Sequence, residues 1–123
     1  MEITSIHKPR IVVIGSCNTD MVVKANRLPV PGETILGGTF YMNPGGKGAN
    51  QAIAASRLGA EVTFISKIGY DLFGLQALEI YKSERINTDF IFTDQKNPSG
   101  VALISVDSFG ENSIIVAPGA SRS

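Results

Sequence analysis

A glycine-rich turn that leads directly into an alanine-rich helix is the segment of this sequence best suited to binding a ligand. It reads Gly-Gly-Lys-Gly-Ala-Asn over residues 45–50 and continues into a helix predicted for 47–58. Glycines let a backbone approach a ligand closely, and the first turn of a helix offers N–H groups without intrahelical partners. Lys47 and Asn50 are three residues apart, so their side chains lie on one face of that turn. The segment predicts a polar recognition site at the positive end of a helix.

A second polar pair follows the first apolar run of the chain. Asn18 and Asp20 are two residues apart, which places both side chains on one side of an extended segment. They come after a strand predicted for 10–15, at the end where open α/β sheets bind ligands. A carboxylate accepts hydrogen bonds and an amide both donates and accepts them, which suits sugar hydroxyls. The alternatives are an Asx turn for this pair and a solvated side chain for Lys47.

Two nucleotide-binding motifs are excluded because residues that they require are missing. Gly46 and Lys47 look like the end of a Walker A loop, but Gly48 stands where that loop needs Ser or Thr, and Tyr41 stands at its first glycine. The turn at residues 15–18 lacks the second and third glycines of a dinucleotide-binding fingerprint. The sequence therefore contains neither motif.

Composition and charge exclude several classes of partner. The 123 residues suit one domain, and the 11 basic and 11 acidic side chains cancel, which argues against a nucleic-acid partner. The apolar run 11–14 is too short for a signal peptide or a membrane span. The single cysteine, Cys17, has no internal disulfide partner, which favours the reducing cytoplasm. Residues 1–8 are predicted to be a loose leader in which His7 is solvated rather than bound to a metal.

The order of predicted elements indicates an α/β fold. Apolar strands alternate with helices, which is typical of a parallel sheet flanked by helices. Two further stretches, about 20–41 and 100–117, break this alternation and predict a small, mainly antiparallel sheet. The predicted strands are 10–15, 21–25, 35–41, 61–68, 88–93, 101–106 and 113–117, and the predicted helices are 47–58 and 71–84, with Asp71 as the cap of the second helix.

Three motifs in these segments resemble those of the ribokinases, within the wider ribokinase-like family of carbohydrate and nucleoside kinases. They are Gly-Ser-Cys-Asn-Thr-Asp at 15–20, Pro-Gly-Glu-Thr at 31–34 and Gly-Gly-Lys-Gly-Ala-Asn-Gln-Ala at 45–52. The signature of this family runs from Gly45, and its spaced glycines fall at Gly59 and Gly69. A departure is Pro44, which stands where ribokinases usually have an aromatic or another residue.

The resemblance implies an enzyme that transfers a phosphoryl group from ATP to D-ribose, giving ribose 5-phosphate. It makes Asn18 and Asp20 ligands of the ribose hydroxyls, and Gly46, Lys47 and Asn50 the remainder of the sugar cradle. Lesser roles fall to Thr19, Gly48 and Ala49.

The resemblance also implies how the chain is organised. Residues 1–123 are identified as the N-terminal part of one ribokinase-like α/β domain, with lid segments at about 20–41 and 100–117 that close over the sugar and pair two subunits as a homodimer. The family carries its catalytic base, a Gly-Ala-Gly-Asp motif, the ATP pocket, Mg²⁺ and a monovalent cation (K⁺) in its second half. No catalytic residue or metal ligand is therefore expected in this chain, and the isolated chain is expected to be inactive.

Two alternatives to a ribokinase remain open on the sequence. The first is a kinase of the same family that acts on another sugar or on a nucleoside. The second is a non-catalytic sugar-binding or dimerisation module that uses the lid sheet.

Overall fold

The computed structural model describes residues 8–122, which form two sheets and two α-helices. The predicted leader and His7 lie outside the described residues, except for Lys8 at its end. The strands are β1 (Arg10–Ile14), β2 (Asn18–Lys24), β3 (Thr39–Gly45), β4 (Glu61–Gly69), β5 (Ile91–Asp94), β6 (Val101–Val106) and β7 (Asn112–Ala117). The helices are α1 (Lys47–Arg57) and α2 (Leu72–Ser83), and a short 3-10 helix spans Gly119–Arg122.

The first sheet is parallel and carries the core. Its strand order is β1-β4-β5, and both helices are crossover connections between its strands. Ala49 and Ala52 of α1 are fully buried, because small side chains let a helix approach a sheet closely. Phe64 of β4 meets Tyr81 of α2 edge to face at 5.4 Å between ring centroids, which is a favourable geometry for two aromatic rings. The parallel sheet with covering helices confirms the predicted α/β fold class.

Both helices begin and end where the sequence predicts. Helix α1 follows Gly46, and the chain leaves it through Gly59, which has a φ of 100°. Helix α2 starts after Asp71, whose side chain accepts a hydrogen bond from the Gly74 N–H at 2.8 Å.

The second sheet is mainly antiparallel, as the sequence predicts, and contains one parallel pair of strands. Its order is β3-β2-β6-β7, and β2 runs parallel to β6 while the two outer pairs are antiparallel. Strands β1 and β5 are parallel members of the first sheet, and short connections lead from their carboxyl ends to β2 and β6. Strands β2 and β6 therefore both start on the side of the first sheet where its strands end, and they run parallel to each other.

Two predicted strand boundaries in the second sheet are wrong. Strand β2 begins at Asn18 instead of residue 21, and β3 covers Thr39–Gly45 instead of 35–41. The φ angles of Gly37 and Gly38 are 105° and 97°, which interrupts an extended strand before Thr39. Pro44 is accommodated because β3 is an edge strand of the sheet.

The loop between β2 and β3 is closed by one ion pair. Arg27 donates two hydrogen bonds of 2.6 Å to the two carboxylate oxygens of Glu33, which also accepts from the Val30 N–H at 3.1 Å. These hydrogen bonds, first those from Arg27 and then that from Val30, lower the pKa of Glu33 to about 2.

This ion pair predicts a measurable titration. A carbon-detected NMR titration is expected to give Glu33 a pKa of about 2, and Arg27→Gln is expected to return it toward the ordinary value of about 4.3. Because the folded-state pKa is lowered, any stability from this pair is present above the unfolded-state pKa and is lost as the pH falls toward 2. Arg85→Gln is the matched control, and an equal change of the Glu33 pKa in both variants would contradict the pairing.

The Tyr81 hydroxyl predicts a stabilising substitution. Tyr81 is fully buried, its hydroxyl has no hydrogen-bond partner among the described residues, and the Cys17 thiol beside it is a weak hydrogen-bonding group. Tyr81→Phe keeps the ring contact with Phe64 and removes the cost of burying the hydroxyl. The free energy of unfolding, measured in urea, is expected to rise by about 1 kcal/mol. The exposed control Tyr70→Phe is expected to change it by less than about 0.5 kcal/mol, and a loss of stability in Tyr81→Phe would show that the hydroxyl has a partner.

Candidate functional site

Strand β2 places Asn18 and Asp20 on the same face of the second sheet. In the register with β3, Asn18 lies opposite Gly45 and Asp20 lies opposite Asn43. Cross-strand partners share a face, so these four positions form one polar corner of the sheet. Because Asn18 and Asp20 belong to a strand, the alternative of an Asx turn at this pair is wrong.

The glycine turn after β3 packs directly against the Asp20 carboxylate. A Cβ atom at Gly45 would overlap the carboxylate group of Asp20. Gly46 has a φ of 92°, and a Cβ atom there would lie 2.7 Å from the Ser16 carbonyl oxygen. Only glycine satisfies both the backbone angle and the close approach at this turn. The sequence run 45–46 therefore brings a helix N-terminus beside a carboxylate from another strand.

Helix α1 is anchored at this corner by its first turn. The Ala49 N–H donates to the Ser16 carbonyl oxygen at 3.1 Å, and Gly48 lies against the backbone of Gly15. Lys47 and Asn50 are exposed at the same turn, and neither side chain forms a hydrogen bond or ion pair within residues 8–122. Their polar groups are therefore available to a ligand at the helix start.

The side-chain oxygen of Asn18 is buried without a hydrogen-bond partner among the described residues. It occupies the space that a Cβ atom at Gly100 would fill. A buried carbonyl oxygen with no partner costs free energy, so a ligand hydroxyl at this position would be stabilising. Asn18 also borders a cavity of about 420 Å³ with an apolar wall. The wall is formed by Met42, Pro44, Leu72, Leu75 and Ile80.

Burial raises the pKa of the Asp20 carboxyl above its ordinary value. Partial removal from water disfavours the charged form of an acid, and polar groups in such surroundings are frequent at binding sites. On its other side Asp20 lies opposite Ala102 of β6, which is buried. The carboxylate therefore lies beside the small side chain of Ala102 on β6 and against Gly45 on β3.

The lesser candidates contribute mainly backbone to this corner. The Thr19 N–H donates to the Gly100 carbonyl oxygen at 3.0 Å, and Gly48 and Ala49 are buried in the first turn of α1. Within residues 8–122 no group of three His, Cys, Asp or Glu side chains is placed to hold a metal ion. None of the helices in that range is long and apolar enough to cross a membrane.

Sequence reasoning missed two features of this region. Asn43 lies opposite Asp20, but the strand that carries it was predicted to end at residue 41. Ser99 forms a hydrogen-bond network with Asp71, and no local sequence pattern indicates that contact because the two residues are 28 positions apart.

Comparison with known proteins decides the family. The family model of the pfkB carbohydrate kinases matches residues 8–123. The chain belongs to this family. It is 47% identical over 110 residues to a ribokinase of Bacillus subtilis (strain 168), covering 89% of this chain and 37% of that protein. It is 44% identical over 110 residues to a ribokinase of Mus musculus, covering 89% of this chain and 34% of that protein.

A solved structure of a family member has the same fold. The structure of Arabidopsis thaliana ribokinase complexed with ribose and ATP superposes with a TM-score of 0.82 at 36% identity, covering 93% of this chain and 37% of that one. The resemblance to the ribokinases, drawn from the glycine motifs, is therefore confirmed. The chain spans about a third of the length of these relatives. The binding roles of Asn18, Asp20, Gly46, Lys47 and Asn50 stay predictions.

Proposed function

We propose that this chain forms the sugar-binding part and lid of a ribokinase, which transfers the γ-phosphate of ATP to the 5-hydroxyl of D-ribose. The observation that carries the proposal is that Asp20 and Asn18 lie directly beside the glycine turn at residues 45–46. A pentose presents several adjacent hydroxyls, and this corner offers a carboxylate, an amide and a helix start within one region. Sequence identity to ribokinases of 44% and 47% supports ribose over other acceptors.

The proposed roles follow from the hydrogen-bonding capacity of each group. The Asp20 carboxylate accepts from two hydroxyls, and the Asn18 amide oxygen, which has no partner among residues 8–122, accepts from a third. Lys47 and Asn50 donate to ribose oxygens from the first turn of α1, beside the backbone of Gly46. Such a cradle fixes the orientation of the acceptor, and orientation is a large part of catalysis in phosphoryl transfer.

The second sheet is the proposed lid over this cradle. Closure of a lid excludes water, which competes with the sugar as phosphoryl acceptor. By resemblance to the family, we assign the catalytic base, the ATP pocket, Mg²⁺ and the monovalent cation to residues outside this chain. The chain alone is therefore expected to bind sugar without kinase activity.

The lid sheet also carries the proposed homodimer contact. On the face opposite Asp20, the alternation of the strands leaves large apolar side chains exposed, among them Phe40 (58%), Leu103 (51%) and Ile115 (71%). An apolar patch on a sheet typically marks an interface with another protein. Sedimentation velocity is expected to show a dimer that Leu103→Glu converts to a monomer.

The buried, free thiol of Cys17 supports the proposed cytoplasmic location.

Calorimetric titration of the chain with sugars and nucleotides tests the proposed function. D-ribose is expected to bind, whereas ATP is not, and mixing chain, ribose and ATP is expected to release no ADP. Fructose and adenosine are the competing ligands, and tighter binding of either would favour the alternative of another acceptor. Failure of all three to bind would refute a sugar-binding role and leave only the dimerisation module.

A further inference from the structure

The Asp71 carboxylate does more than cap helix α2. Its Oδ1 atom accepts from the Gly74 N–H at 2.8 Å and from the Ser99 hydroxyl at 2.7 Å, and its Oδ2 atom accepts from the Ser99 N–H at 2.8 Å. The Ser99 hydroxyl oxygen in turn accepts from the Gly69 N–H at 2.9 Å. Asp71 and Ser99 together therefore join the end of β4, the start of α2 and the residue two before β6. We call this pair the Asp71–Ser99 clamp.

The clamp lies at the point where the second sheet leaves the first. The residue after Ser99 is Gly100, whose carbonyl oxygen accepts from the Thr19 N–H at 3.0 Å. The side-chain oxygen of Asn18 lies in the space left by the missing Cβ atom of Gly100. A shift of Ser99 would therefore move Gly100. Both the carbonyl oxygen that binds the Thr19 N–H and the backbone against which the Asn18 side chain packs would then change position.

We propose that Asp71 is a positioning residue for the sugar site, acting through Ser99 and Gly100 to hold Asn18 in place and to fix the angle at which β6 enters the lid. This inference rests on the proposed sugar-binding function. Asp71 does not touch the cradle itself. Its effect passes along hydrogen bonds between 2.7 and 3.0 Å, from Asp71 to Ser99 and from Gly100 to Thr19.

The geometry separates this role from helix capping. Capping of α2 needs one acceptor atom, and the Gly74 N–H uses Oδ1. The Oδ2 atom accepts from the Ser99 N–H, a donor outside helix α2, so this hydrogen bond belongs to the clamp and not to the cap. Burial raises the pKa of Asp71, but the hydrogen bonds from Ser99 and Gly74 outweigh this effect and hold the pKa below its ordinary value. The carboxylate is therefore kept charged in the clamp.

The variant Asp71→Asn tests the clamp without removing the cap. Asparagine is as good an N-cap as aspartate, but its amide nitrogen cannot accept from the Ser99 N–H. A second variant, Ser99→Ala, leaves the bond from Gly74 to Asp71 intact and decides the matter if Asp71→Asn does not fold. Ser56→Ala is the control, because it removes a side-chain hydrogen bond to the Glu84 carbonyl oxygen, away from the lid.

Two measurements on the whole chain give the result. NMR hydrogen exchange of the Thr19 amide is expected to quicken about 10-fold in both clamp variants, in line with the loss of one hydrogen bond, and the Asn18 side-chain amide signals are expected to shift. The dissociation constant for D-ribose, measured by calorimetry, is expected to rise about 10-fold through the misplacement of Asn18. Ser56→Ala is expected to change neither beyond its effect on global stability.

The outcomes distinguish the clamp from the proposed function. Folded clamp variants with unchanged Thr19 exchange, unchanged Asn18 signals and unchanged ribose affinity would overturn the inference. Faster Thr19 exchange in a chain that binds no ribose would support the clamp as a link between the sheets and refute sugar binding. An equal loss of ribose affinity in Ser56→Ala would show that the effect is general destabilisation, and would also overturn it.

Discussion

Replacing Asp20 with asparagine is expected to weaken D-ribose binding about 100-fold. A hydrogen bond to a charged group contributes about 1.5–3 kcal/mol, and the proposed cradle uses the carboxylate for two hydroxyls. Asparagine has nearly the same shape, so the close contact with Gly45 is retained and the fold is kept. Calorimetric titration of the variant with ribose, beside its urea unfolding curve, measures both effects.

A matched control removes a carboxylate elsewhere. Asp89 is exposed on the segment before β5, away from the polar corner, and Asp89→Asn changes the net charge by the same amount. Ribose affinity is expected to stay within about twofold of the original in this control. Equal affinity in Asp20→Asn and the unchanged chain would remove the central residue from the proposed site and with it the argument for ribose.

Replacing Gly48 with alanine is expected to destabilise the fold by about 2 kcal/mol, although alanine has the higher helix propensity. In an exposed helix this change would add about 1 kcal/mol of stability. At Gly48, however, the new Cβ atom would lie 2.8 Å from the Gly15 Cα and carbonyl carbon and 2.9 Å from the Ser16 nitrogen. These are backbone atoms that cannot rotate away, so helix α1 must move off the β1–β2 connection. Urea unfolding followed by circular dichroism measures the loss.

The control for Gly48→Ala lies in the same helix. Ala54 is exposed, and Ala54→Gly is expected to cost about 1 kcal/mol through propensity alone. If Gly48→Ala instead raises stability by the amount that propensity predicts, helix α1 does not approach Gly15 as closely as described. The sign of the change is therefore sufficient to decide between packing and propensity.

Local patterns predicted the elements of the first sheet well, apart from β5, which begins at Ile91 instead of residue 88. The apolar run at 11–14, the alanines of α1 and the cap at Asp71 each depend on neighbours within a few residues, and β1, α1 and α2 were found within one or two residues of their bounds. The second sheet was predicted less well because its register comes from pairing between distant segments. No local signal tells that β6 runs parallel to β2, or that β3 continues through Pro44.

The candidate site was predicted in its composition but not in its contacts. The spacing of Asn18 and Asp20 places both on one side of an extended segment, and the strand confirms that geometry. The approach of Gly45 to Asp20 depends on the β2–β3 register, which the sequence does not show. The same is true of the Asp71–Ser99 clamp, where a recognised helix cap has a second task that only the fold makes visible.

The burial of the single cysteine makes the angle between the two sheets accessible to spectroscopy. Cys17 is 3% exposed, so a thiol-reactive fluorophore added to the folded chain would leave it unmodified. Phe109 is 91% exposed at the far tip of the second sheet, between β6 and β7. In the variant Phe109→Cys only the new cysteine would carry the dye. The label would then lie at the end of the second sheet farthest from the β1–β2 and β5–β6 connections to the first sheet. A small rotation of the second sheet relative to the first would thus displace the label by a large distance.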